Sequence, residues 1–399
     1  MGARAHWRRC RACVPGECFP FHGIRTGGPV TLRVLVTADS LGSAWQYGLD
    51  LARGLSRLGV ETVLAVTGTP SDGQRAAASR IDGLELVETG LALDSHAGNA
   101  SSLRAAAGQI AALAARSGAE IVHLNTPALA AGARFELPVV AVQHSCAATW
   151  WEAVHDSALP PDFAWRAQLV RAGLQAADMV VTPTAAFAAA THRAYRLDHT
   201  PRIVHYGRAP APVPLYAPHD FVFTSGRLWD EGKNLGMLDA AAARIAVPVR
   251  AAGPIEGPNG ASVLFDNIRC VGNLGEADLA RWLSARPVFV SAALYEPFGL
   301  SVLEAASAGC PLILSDIPTF RELWDEVAIF VPPRDEEGFT RAIARLVADD
   351  FERAVIGRAA KERASLYSPD AMAAQMAAIY RSLLPAIHRP VLAAAREAA

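Results

Sequence analysis

From Leu32 onward, short aliphatic runs alternate with longer helix-patterned stretches, and a chain built this way has few folds open to it. The first unit is complete within residues 32–68. LRVLVTAD, rich in β-branched residues and leucine, reads as a short buried strand, and Ser40-Leu41-Gly42-Ser43 follows as a loop. The spacing then predicts a helix over 44–58, with Leu49, Ala52, Leu55 and Leu58 on its apolar side and Gly59 as its C-cap. ETVLAVTG is the next strand. Strand, loop, helix and strand in this order open a parallel α/β sheet.

The alternation continues. LELVE, EIVHLN, LPVVAVQH, DMVVTPT and RIVHYG read as strands, with helices over 102–116 and 164–176. Pro210, Pro212, Pro214 and Pro218 then crowd residues 209–219, the composition of a linker. DFVFTSGR restarts the pattern, a helix is predicted over 235–246, and VPVRAAG, NIRCVG, PVFVSA, CPLILSD and AIFV follow as strands. The chain is helical from Glu337, breaks at Tyr367-Ser368-Pro369, and starts a last helix near Asp370. The predicted fold is therefore α/β, with two Rossmann-like, doubly wound parallel-sheet domains facing each other across a cleft. The expected division is 1–30 as a tail, 31–208 and 209–369 as the two domains, and 370–399 as a terminal helix. Ligands of such sheets bind outside the carboxyl ends of the strands.

Composition narrows the function classes. A chain of 399 residues with 51% hydrophobic and 19% charged residues is too apolar to be disordered and long enough for a large core. The net charge of −2 lacks the basic excess of a general nucleic-acid binder. No stretch approaches the roughly 20 uninterrupted apolar residues of a membrane helix. These features predict a soluble, cytoplasmic protein with at most peripheral membrane contact. Residues 1–30 stand apart, rich in arginine, proline and glycine with no structural period and no apolar signal-peptide run. Cys10, Cys13, Cys18 and His22 offer ligands for a zinc knuckle, but paired sets of ligands are missing, and a tail or an upstream start fits better. Cys146, Cys270 and Cys310 lie far apart in apolar contexts and read as buried free thiols.

Two segments carry chemistry. In YEPFGLSVLEAASAGCPLILSD, Glu296 falls in a tight loop before a helix that starts near Leu300, and Glu304 lies about a turn inside it. A helix N-terminus offers unpaired N–H groups and the positive end of a dipole, a ready place for a phosphate, and carboxylates beside it can accept from hydroxyls of a ribose or a sugar. In SGRLWDEGKN, Arg227 and Lys233 follow a strand and can converge on one anion, each charged hydrogen bond being worth about 1.5–3 kcal/mol net. His144, in QHSCAATWW, follows a predicted strand, as do His123 and Asn125 at the end of EIVHLN. Trp45, Tyr47, Trp150, Trp151 and Trp165 read either as core packing or as flat surfaces against a ligand. The first loop, DSLGSAW, lacks the G-x-G-x-x-G of a nicotinamide-binding fold.

Together, Gly226-Arg227-Leu228…Lys233-Asn234 and Glu296-x7-Glu304 resemble the retaining GT-B glycosyltransferases of family 4 (group 1), over about residues 32–385. The resemblance implies transfer of a sugar from a nucleoside-diphosphate sugar to a hydroxyl acceptor, with retention at the anomeric carbon. The first domain would then carry the acceptor side and the second the nucleotide sugar, with the last helix crossing back to the first. Arg227 and Lys233 would hold the diphosphate. Glu304 would bind the ribose, and Glu296 with Phe298, Gly299 and Leu300 the transferred sugar. Leu274 would lie near the base, and Gly42-Ser43, where the family tends to have two glycines, near the phosphates. His144 would make a polar contact with donor or acceptor. With no Asp-x-Asp motif and the cations in place, the resemblance implies neither a cofactor nor a required metal, and the two halves would close about the linker to exclude water. A non-catalytic nucleotide-sugar-binding protein and a sugar-nucleotide epimerase on the same fold are the alternatives.

Overall fold

The computed structural model describes residues 31–41, 43–92, 99–209, 220–257 and 260–384. The cysteines and His22 of the first 30 residues, Gly42, the proline cluster over 210–219 and the segment after 384 lie outside them.

Seven strands, β1 (Arg33–Asp39), β2 (Glu61–Thr67), β3 (Leu84–Glu88), β4 (Ile121–Leu124), β5 (Val139–Val142), β6 (Met179–Thr182) and β7 (Arg202–Ile203), form one parallel sheet in the order β3-β2-β1-β4-β5-β6-β7. Six more, β8 (Val222–Ser225), β9 (Val249–Ala252), β10 (Ile268–Cys270), β11 (Val288–Ser291), β12 (Leu312–Ser315) and β13 (Ile329–Val331), form a second in the order β10-β9-β8-β11-β12-β13. Each sheet begins in its middle, grows to one side, then crosses to the other, so β1 lies beside β4 and β8 beside β11. These are the points where a doubly wound sheet opens a crevice. Central strands take aliphatic residues throughout because both faces are covered, as the fully buried Val34, Leu35 and Val36 of β1 show.

The Ser43–Arg57 helix follows β1 and buries Leu49, Leu51, Ala52 and Leu55. The last described helix, Pro369–Leu383, packs against it. Ser368 caps that helix by accepting from Ala371 N at 3.1 Å, and Asp370 pairs with Arg57 at 2.5 Å. Contact is close enough that a Cβ on Gly54 would fall 2.6 Å from the Pro369 carbonyl oxygen. The halves also meet directly. Trp150 donates to Asp230 at 2.9 Å, Thr184 donates to the Pro297 carbonyl at 2.9 Å, and Glu322 accepts from Ala185 N and Ala186 N, both at 2.8 Å.

Some expectations need correction. The 235–246 helix ends at Ala242, where Arg244 N and Ile245 N close tight turns on Ala241 and Ala242 ahead of Pro248. β7 is two residues long, and its Ile203 is exposed at the sheet edge. Of the three thiols read as buried, only Cys310 is; Cys146 is half-buried at the start of a helix, and Cys270 is exposed because β10 is an edge strand. Among the described residues, no helix is long and apolar enough to cross a membrane.

Candidate active site

The loop after β8 turns at Gly226, and Gly226 N donates to the Ala252 carbonyl at 3.0 Å. Gly253, at φ 139°, passes so close that a Cβ there would sit 1.8 Å from the Gly226 carbonyl oxygen. Only glycine allows this crossing, which presents Arg227 and leads into a 3-10 turn, Glu231–Lys233. Asp230 caps the turn by accepting from Gly232 N at 2.9 Å. Asn234 takes the left-handed conformation at φ 56° and donates to the carbonyls of Ala292 at 3.0 Å and Pro333 at 2.8 Å. The Gly232 carbonyl accepts from Leu294 N and Tyr295 N at 2.9 and 3.2 Å. These bonds stitch the loop after β11 to the 3-10 turn and bring Glu296 onto Lys233, with which it forms an ion pair only 13% and 17% exposed.

Gly299, at φ 93°, then starts the Leu300–Ala308 helix without a side-chain cap. The first N–H groups of that helix have no partner inside it, and its positive dipole end faces the same space as Lys233. That space is a cavity of about 280 Å3. The second half lines it with Arg227, Lys233, Glu296, Phe298, Gly299, Leu300 and Ser301, and the first half with Tyr47, His144 and Tyr206. Seven of the residues singled out for the site thus meet at one place. Arg227 is tied to Asp230 at 2.7 Å in this arrangement. Burial would raise the Asp230 pKa, but Arg227 and the Trp150 and Gly232 donors outweigh it and hold the carboxyl below its ordinary range.

The wall from the first half is a polar network. Asn125, at the end of β4, donates through Nδ2 to the Thr37 carbonyl at 2.6 Å and through its backbone N to Thr37 Oγ1 at 3.0 Å. Asn125 Oδ1 meets His123 Nε2 at 2.9 Å and His144 Nε2 at 2.8 Å. His123 Nδ1 lies 2.6 Å from the hydroxyl of Tyr380 on the last helix, and His144 Nδ1 is bonded to the Tyr206 hydroxyl. Burial pushes His144 down to about 3, with a further push from His123, and pushes His123 down to about 4 against its bond to Asn125.

Other predicted residues lie elsewhere. Glu304 is not among the residues that line this cavity and is ion-paired with Arg208, which also reaches Asp50 at 3.3 Å and Glu276 at 3.5 Å. Leu274 lines a separate cavity of about 570 Å3 with Arg250 and Trp282. Ser43 is the first residue of its helix. The indole N–H of Trp150 is committed to Asp230 and that of Trp151 to the Ser157 carbonyl, while Trp45 is buried in the core. The sequence reading passed over Tyr206, Asp230 and Arg208. The position of Tyr206, just past a strand's carboxyl end, was the available signal.

The sequence matches the family described as Glycosyltransferase Family 4 over residues 44–208, and that described as Glycosyl transferases group 1 over residues 219–349. The chain is a group 1, family 4 type glycosyltransferase of the GT-B fold. Among relatives of this glycosyltransferase, the O-antigen chain mannosyltransferase B of Escherichia coli is 31% identical over 88 residues, 22% of this chain and 23% of the relative. The chain thus spans about a quarter of that protein's length. The fold matches the sucrose-phosphate synthase of Thermosynechococcus elongatus with a TM-score of 0.74 at 20% identity, covering 88% of this chain and 99% of the other. It matches Anabaena HepE, solved in complex with UDP-glucose, with a TM-score of 0.68 at 16% identity, covering 88% and 100%.

Proposed function

We propose that this glycosyltransferase moves a sugar from a nucleoside-diphosphate sugar to a hydroxyl acceptor with retention of anomeric configuration. The observation that carries this reading is the Lys233–Glu296 pair set at the uncapped start of the Leu300–Ala308 helix, inside a cavity walled by both halves. A cation and free N–H groups at one point suit a diphosphate, and a carboxylate beside them suits the hydroxyls of the attached sugar. The fold neighbour HepE was solved with UDP-glucose, which supports a donor of this class.

In this reading Lys233 and the helix N–H groups stabilise the charge that develops as the sugar–phosphate bond breaks, and Arg227 joins them by exchanging Asp230 for a phosphate oxygen. The positive charge that a metal ion supplies in other enzymes comes from these groups. Glu296 orients the sugar by accepting from its hydroxyls while Lys233 holds the carboxylate in place. Attack comes from the face the diphosphate leaves, and the departing phosphate takes the acceptor's proton. Glu304 is within one helical turn of Ser301, and it serves the ribose once Arg208 releases it.

A panel of nucleoside-diphosphate sugars with sugar, polyol and lipid-linked acceptors tests this, run in EDTA with product anomers read by NMR. Transfer from an α-linked donor to an α-linked product without added metal is expected. A β-linked product overturns retention, loss of transfer in EDTA overturns metal independence, and no transfer to any acceptor overturns the enzyme reading.

A further inference from the structure

The polar wall behind the cavity fixes its own protons. The amide of Asn125 has only one orientation in which Nδ2 donates to the Thr37 carbonyl, and that leaves Oδ1 as an acceptor. Two histidine nitrogens approach this one oxygen, His123 Nε2 and His144 Nε2, and both must donate to it. Each neutral ring then has its lone pair on Nδ1. Tyr380 and Tyr206 each bring one hydroxyl proton to these two atoms.

We propose that Tyr380, His123 and Asn125 act as positioning residues that hold His144 as its neutral Nε2–H tautomer, so that the Tyr206 hydroxyl donates to His144 Nδ1 and Tyr206 Oη is left as an acceptor for a substrate hydroxyl. The chain of bonds runs from the last helix through β4 to the segment after β7, and it reaches the cavity at His144 and Tyr206. Both ring nitrogens of His144 are used within the protein, so of this bonded pair it is Tyr206 that keeps a lone pair for a ligand. Only this last step rests on the cavity being the sugar site. The groups facing His144 keep it neutral. Tyr47, from the Ser43–Arg57 helix, packs its ring edge-on at 4.7 Å, and Tyr206 and His123 are uncharged. Glu296, lining the same cavity from the second half, is neutralised by Lys233.

The test is 15N NMR of the histidine rings in the full chain between pH 5.5 and 8, with Asn125→Asp, Tyr380→Phe and Tyr206→Phe alongside, and UDP-glucose and GDP-mannose as probes of binding and turnover. In the wild type, two histidines are expected as Nε2–H tautomers that do not titrate in this range. Asn125→Asp places a carboxylate on both Nε2–H groups, so those two signals are expected to titrate and the rate to gain an ionisation in the same range. Tyr380→Phe is expected to shift one of the two signals and to lower kcat with KM unchanged, and Tyr206→Phe to lower kcat/KM roughly tenfold, as loss of one neutral hydrogen bond does. An Nδ1–H tautomer, a titrating pair in the wild type, or an Asn125→Asp pair that stays silent overturns the proposal. Should Asn125→Asp not fold, a Tyr380→Phe spectrum identical to the wild type overturns it equally. If the spectra follow expectation and neither probe binds, the network stands and the donor reading fails.

Discussion

Arg208 holds Glu304 in a buried ion pair that joins the end of the first half of the chain to the helix that opens the cavity. The same guanidinium reaches Asp50 and Glu276, so one cation faces three carboxylates. Burial pushes Glu304 and Asp50 up, and Arg208 pulls both back towards the ionised form. Removing the cation therefore leaves an uncompensated buried charge. Arg208→Ala is expected to cost about 3–5 kcal/mol in urea unfolding. Adding Glu304→Gln should restore part of that loss, and a double variant no better than the single would show that the two residues are not coupled.

His123 gives the fold a pH dependence. It is fully buried, and its pKa lies near 4 against 6.5 for an unburied ring. Between those values the unfolded chain binds a proton that the folded chain does not, so the folded state loses stability as the pH falls below 6.5. From pH 7.5 to 5 this amounts to about 2 kcal/mol, the slope approaching 1.36 kcal/mol per pH unit between the two pKa values. Urea midpoints at pH 7.5 and 5 measure it. His123→Gln should remove this share and leave the one that His144, pushed down to about 3, contributes in the same range, and equal slopes in the two proteins would contradict the assignment.

Gly253→Ala should be among the most damaging single-methyl changes in the second half. The added Cβ would sit 1.8 Å from the Gly226 carbonyl oxygen at a φ of 139°, and both backbones would have to move. A loss of several kcal/mol is expected. Because Gly226 leads directly into Arg227, surviving protein should also bind nucleotide less well. A variant with wild-type melting temperature would mean that the crossing is looser than described.

The strands and their order of appearance were readable because each is a local pattern: the fully buried β5 is a run of aliphatic residues, β4 is one interrupted only by His123, and LELVE became β3 without change. Glu296 and the start of the Leu300–Ala308 helix were readable because loop and helix lie together in sequence, and Lys233 because it sits in its own loop after a strand, 63 residues earlier. What escaped depends on contacts across the chain. Nothing near Glu304 announces a partner 96 residues away at Arg208. His123 and Tyr380 are 257 residues apart, and only the packing of the last helix on the first brings them together. The exposure of Cys270 follows from strand order, which no window around Cys270 encodes.

Lys233→Ala removes the cation that faces both Glu296 and the open helix end. A fall in kcat of roughly 100- to 1,000-fold is expected, the size seen when one donor to a developing negative charge is lost. Lys233→Arg should recover little, because a planar, delocalised guanidinium replaces the compact ammonium that meets both Glu296 and the helix end. Full recovery by arginine would argue that only charge matters here.

The central claim is that this cavity takes a nucleoside diphosphate. Calorimetric titration of the wild type and Lys233→Ala with UDP, GDP and ADP tests it most directly. The account predicts that one nucleotide binds the wild type and that the variant loses at least tenfold in affinity. Binding that Lys233→Ala leaves unchanged, or no binding of any of the three, would contradict it.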